Sequence, residues 1–160
     1  MMTKKDLQHW VEKANHATLC QYTVPWVAAE SHHGRELGLE WIESKKEGVA
    51  AAGWATLASL VAIKDDSEIE LPELKRLLAR VQKTIHRQPN RVRYVMNGFV
   101  IAVGSYVQAL TDLALKTAEK IGPVSGDMGG TACKVPCAAE TIQKVRQRGA
   151  IGKKRKTAKC

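Results

Sequence analysis

Apolar residues recur at intervals of three and four along most of this chain, and those intervals divide it into helices. The most apolar run is Asn90 to Leu110, NRVRYVMNGFVIAVGSYVQAL. Val92, Val95, Met96, Phe99, Val100, Ala102, Val103 and Val107 form a wide stripe there, which suits a helix covered on more than one side. It holds the only Phe and reads as the central helix of an all-α domain, with its polar opening, Asn90, Arg91 and Arg93, near a surface. Just upstream, Leu74, Leu77, Leu78, Val81 and Ile85 mark an amphipathic helix. Pro72 suits its first turn, and Lys75, Arg76, Arg80, Lys83 and Arg87 read as its solvated outer face. Beyond Gly104 and Ser105 the pattern passes to another helix through Leu110, Leu113, Leu115, Ala118 and Ile121, stopped by Gly122-Pro123.

The N-terminal half follows the same rule. Thr3 with Asp6 resembles a capping box ahead of a short helix whose apolar face is Leu7, Trp10, Val11 and Ala14. TLCQYTVPWVAAES is helical except at Pro25, which predicts a helix from about Pro25 to Ala29 after a looser turn. Tyr22 and Trp26, four apart, fit core packing or stacking on a nucleobase. His32-His33 lies in a turn, with no further ligand at a metal-site spacing. Leu37, Trp41 and Ile42 give a short third helix. Val49, Gly53, Leu57, Leu60 and Val61 give an Ala-rich fourth, small enough for a neighbour to approach closely. A last helix runs from Ala138 to about Arg148. Pro123 to Cys137 is the one long segment without periodicity, and such loops are often functional. Six to eight helices are expected, paired through short connectors, with no strand signal. This is a helical-repeat layout, divided into a repeat domain over 1–148 and a basic tail over 149–160.

The net charge of +9 changes this picture because of where it sits. The last 17 residues carry eight basic side chains, Lys144, Arg146, Arg148, Lys153, Lys154, Arg155, Lys156 and Lys159, whereas the first 143 hold 17 basic against 16 acidic. A localised cationic block points to a polyanionic partner. Cations that neutralise phosphates release counterions and so give sequence-independent affinity. KKRK also matches a nuclear import signal, a promiscuous motif. No apolar run approaches the roughly 20 residues that span a bilayer, so no membrane partner is expected. The charged N-terminus lacks the apolar stretch of a secretory signal. Cys20, Cys133, Cys137 and Cys160 are too scattered for a disulfide framework. The expectation is a cytoplasmic monomer with reduced thiols. Cys133 and Cys137 are spaced C-x3-C without a second pair, and no His stands near them or Asp127. They read as loop packing, and neither a metal nor a cofactor is expected.

Several longer motifs carry a resemblance. They are Gln21-Tyr22-Thr23-Val24 with Trp26; Leu39 through Ser44, LEWIES; Asn90 through Gly98; Gly126 through Pro136; and Ile151 through Thr157, IGKKRKT. Together they resemble the bacterial DNA alkylation repair proteins, the AlkD-like group of HEAT-like helical repeats. The resemblance implies a single α-α superhelix that holds duplex DNA on a basic concave surface. It also implies excision of alkylated purines by an aspartate and tryptophans beside the lesion. In the corresponding stretch, LCQYTVPW, there is no acid, and Pro25 stands about where one is expected. Ala51 and Ala52, or their neighbours, replace the usual Arg pair of the following repeat. Excision builds positive charge on the sugar, which a carboxylate would stabilise. Trp26 and Glu30 are therefore the only catalytic candidates that LCQYTVPWVAAE supplies. The expected function is DNA binding with weak or no base excision, through Arg91, Arg93, Lys144, Arg146, Arg148, Lys153, Lys154, Arg155, Lys156 and Lys159. An active glycosylase, with Glu30 or Asp127 as the acid, is one alternative. A protein-interaction scaffold is the other.

Overall fold

The computed structural model describes residues 2–126 and 135–159, so Asp127 and Cys133 lie outside the described residues. Eight α-helices occur among the described residues: α1 Lys4–Lys13, α2 Val24–Glu30, α3 Gly34–Trp41, α4 Glu47–Ile63, α5 Leu71–Thr84, α6 Asn90–Tyr106, α7 Thr111–Ile121 and α8 Ala138–Gln147. No strand is found among those residues, and the fold is all-α, as the periodicity predicts. They form two layers. α2 packs on α4, α4 on α6 and α6 on α8, while α1, α3, α5 and α7 cover one side of that row.

Local chemistry sets the boundaries. The Thr3 hydroxyl accepts the Asp6 N–H and the Asp6 carboxylate accepts the Thr3 N–H, completing the predicted capping box. Ahead of α2, a π-helical turn over Leu19–Thr23 closes with the Val24 N–H on the Leu19 carbonyl. Pro25 has no N–H to give the Gln21 carbonyl, and this wider turn is how the chain enters α2. Gly122, at φ 67°, ends α7.

The middle of the sheetless core is α4, buried almost all round by Val49, Ala51, Ala52, Trp54, Leu57 and Val61. A Cβ on Gly53 would stand 2.6 Å from the Ile42 nitrogen, so α3 lies backbone-close on α4. Trp54 meets Phe99 of α6 edge-on, with ring centroids 5.3 Å apart, a favoured aromatic geometry. A smaller cluster of Leu7, Val11, Val24, Ala28, Leu37, Trp41 and Val49 joins α1 to α2, α3 and α4.

Two readings of the pattern need correction. The central helix stops at Tyr106 and not near Leu110, and the break falls at Val107 rather than at Gly104-Ser105. There the chain turns by 115° into α7. Gly104 stays helical because its missing side chain admits Ile142 of α8, whose Cδ1 would lie 2.5 Å from an added Cβ. The Thr111 hydroxyl holds the corner by donating to the Gly104 carbonyl at 2.8 Å. Second, Arg80 belongs only in part to the solvated face. It pairs with Glu43, donates to the Ile42 carbonyl and lies over the Trp54 ring at 5.8 Å. No single helix among the described residues is long and apolar enough to cross a membrane.

Candidate nucleic-acid interface

The uncovered side of the α2–α4–α6 row carries a groove of about 270 Å³. Tyr22 and Trp26 form one wall, their rings 5.7 Å apart and tilted by 52°. Tyr94, Val95, Gly98 and Ile101 of α6 form the other, and Pro136 closes one side. Its floor is made of small residues, Ala55, Ala58 and Ser59 of α4. Gly98 adds to the opening, since a Cβ there would meet no atom within 4 Å. Aromatic faces are thus presented over a shallow, mostly apolar floor, with Gln21 and Ser59 as polar groups. No carboxylate lines the groove among the described residues.

Glu30 lies outside this groove. It sits at the C-terminal end of α2, where its Oε1 accepts the Ala158 N–H at 2.8 Å. The two catalytic candidates are therefore separated, Trp26 in the groove and Glu30 outside it, against the tail.

The tail itself is packed. The Gly152 N–H donates to the Ser105 carbonyl, the Lys154 ammonium to the Val61 carbonyl, and the Arg155 N–H to the Ala62 carbonyl, at 2.8 to 2.9 Å. Those acceptors belong to the last turns of α6 and α4, where helix carbonyls have no partner within the helix. With Ala158 on Glu30, the segment crosses the C-terminal ends of α6, α4 and α2 in turn. Cationic groups suit those ends, where the helix dipoles are negative. Lys154 also pairs with Asp66 at 2.8 Å, and Ala158 is only 2% exposed. Lys153, Lys156 and Lys159 remain exposed.

The other basic residues fall elsewhere. Arg91 and Arg93 open α6, at the opposite end of the row from the tail. The Arg91 N–H is held by Glu47 of α4 at 2.9 Å, and an Arg93 guanidinium N–H reaches Asn90 at 3.5 Å. Both residues are half-buried. Arg146 pairs with Asp112 across to α7 at 2.7 Å, while Lys144 on α8 and Arg148 just past its end are exposed. Given about 1.5 Å of rise per residue, the 17 residues of α6 separate the Arg91 end from the tail by roughly 25 Å. Near the Arg91 end, Cys20 is buried against α4. Burial pushes its thiol up from the ordinary value, against the nearby Arg91 charge, and it donates to the Ala14 carbonyl at 3.4 Å.

Sequence reasoning found Tyr22 and Trp26 but missed the floor. Ala55, Ala58 and Gly98 signal it only by their size, and they come from helices far apart in the chain.

An all-α, two-layer helical repeat with an aromatic groove and flanking cations is the architecture of a HEAT-like repeat protein. Comparison with known proteins agrees. The chain matches a solved structure from a new family of proteins related to the HEAT-like repeat DNA glycosylases with affinity for branched DNA structures. The TM-score is 0.91 and the identity 29%, over 99% of this chain and 68% of that one. The chain therefore shares the HEAT-like repeat fold of a family related to the DNA glycosylases of that fold, and the resemblance drawn from its motifs is borne out. It is also 38% identical over 108 residues to the uncharacterized protein Lmo0209 of Listeria monocytogenes, and 37% identical over 109 residues to Lin0241 of Listeria innocua. Each match takes in 68% of this chain but 45% and 46% of the relatives, so the chain spans less than half their length. No family model matches.

Proposed function

We propose that this protein binds branched DNA and does not excise bases at an appreciable rate. The observation that carries the reading is the aromatic groove of Tyr22, Trp26 and Tyr94, set between Arg91 and Arg93 at one end and the tail lysines at the other. Branch points break the continuous stacking of a duplex and expose base faces. An aromatic side chain that stacks on a base contributes about 1–3 kcal/mol without reading its identity. The surrounding cations, with Lys144 and Arg148, would contact the phosphates of the duplex arms, which positions DNA without selecting sequence. The affinity of the structural relative for branched DNA supports the choice of partner.

Excision of an alkylated purine, as in alkylation repair, needs a group that stabilises the developing sugar cation. Glu30 is engaged by the tail backbone, and the groove offers tyrosines, a tryptophan and neutral polar groups. Binding is accordingly the function that this arrangement favours. The test is a titration of a four-way junction and a linear duplex of the same arms, beside an assay for methylpurine release from alkylated duplex. Junction binding without release is expected. Release at the rate of an active glycosylase, or failure to bind the junction, would overturn the reading.

A further inference from the structure

We infer that the C-terminal segment is a docked rail for a DNA strand, in which anchoring residues alternate with outward-facing lysines. The inference rests on the DNA-binding reading above and specifies how one edge of that surface works. The anchors are Gly152, Lys154, Arg155 and Ala158, which engage Ser105, Val61, Ala62 and Glu30. Between and just beyond them, Lys153, Lys156 and Lys159 are exposed, one in every three residues. Docking holds the backbone on the helix ends and leaves these long cationic side chains exposed.

Charge and reach fit the sugar–phosphate backbone. Three residues of extended chain cover at most about 10 Å, so the Cα line from Lys153 to Lys159 is no longer than roughly 20 Å. Along one strand, phosphates follow every ~3.4 Å of duplex axis, so that line matches a handful of consecutive phosphates. The acids that touch the segment are taken up by its own anchors. Asp66 is on Lys154 and Glu30 is on the Ala158 N–H, while Asp65, which also feels the Lys154 charge, accepts from the Ser67 N–H. Docking also fixes where the strand runs, across the C-terminal ends of α6, α4 and α2 and beside the groove. A free arm could not fix this path.

Two variants of the full chain test this, each titrated with a four-way junction over a range of salt. Lys153→Gln, Lys156→Gln and Lys159→Gln together should flatten the slope of log affinity against log salt by about 2–3 units, at about 0.9 per lost contact. The melting temperature should not change, because none of the three is an anchor. The second variant, Glu30→Ala with Asp66→Ala, removes two negative charges but also two anchor partners. A free arm would then bind DNA more tightly. A docked rail predicts weaker binding, together with faster hydrogen exchange at Arg155 and Ala158. An unchanged slope in the triple variant, or tighter binding by the double variant, overturns the rail and leaves DNA binding standing. Failure of the unsubstituted protein to bind the junction removes the DNA-binding reading itself, and the rail with it.

Discussion

Gly98 separates the groove from the fold, because it is a helix-interior glycine with nothing in front of it. A Cβ built there meets no atom within 4 Å. Glycine inside a helix costs roughly 0.8–1 kcal/mol relative to alanine, so Gly98→Ala should stabilise the protein by about that amount. In a chain of 160 residues, 1 kcal/mol corresponds to a rise in Tm of about 2–4 °C. Gly98→Leu keeps most of this gain, since leucine is nearly as good a helix former. Its side chain would project between Tyr94 and the Tyr22–Trp26 wall, where a stacked base would sit. Losing one stacking contact of about 1–3 kcal/mol should weaken junction binding by roughly 5- to 150-fold at 1.4 kcal/mol per tenfold. Thermal unfolding and a junction titration measure both. The reasoning is refuted if Gly98→Ala lowers Tm, because the space would then be filled. It is also refuted if Gly98→Leu folds stably and binds as the unsubstituted protein does, because the groove would then hold no part of the DNA.

The remaining predictions concern the core, the helix cap and catalysis. Phe99→Ala should cost about 3–5 kcal/mol in denaturant unfolding, since Phe99 is fully buried against Trp54; a loss below about 1 kcal/mol would contradict that placement. The Thr3 N–H and hydroxyl hold the Asp6 carboxyl below its ordinary value. Its contribution is therefore present above the ordinary carboxylate range and lost as pH falls through the lowered value. Asp6→Asn should make stability less sensitive to acid, and an unchanged pH profile would count against the cap. Methylpurine release from alkylated duplex should be negligible and unaltered in Glu30→Gln; release that disappears with that substitution would identify Glu30 as the missing acid.

Much of the fold was legible because it depends on short-range pattern. The Thr3–Asp6 box, the Leu74–Ile85 stripe and the Gly122 stop are local features, and the structure reproduces each. The end of α6 was not legible. Val107 and Leu110 are buried on either side of a corner, and burial continues the apolar pattern through a break in the backbone. The tail was hidden for a different reason. Its composition reads as solvated, while its docking depends on backbone N–H groups, the Lys154 ammonium and a small Ala158, none of which leaves an apolar signature. Arg80 likewise counted as surface charge until Trp54 and Glu43 were placed against it. The groove was half legible: four-residue spacing put Tyr22 and Trp26 on one face, but the floor exists only once α4 and α6 lie beside α2.

Branched-DNA binding is the central claim, and competition between a four-way junction and a linear duplex of the same arms tests it most directly. With both DNAs present at several salt concentrations, the account predicts tighter binding to the junction at every salt. It also predicts that affinity for both falls linearly on a log–log plot as phosphate contacts are screened. Equal affinity for the two DNAs, or no binding to the junction even at low salt, would contradict it.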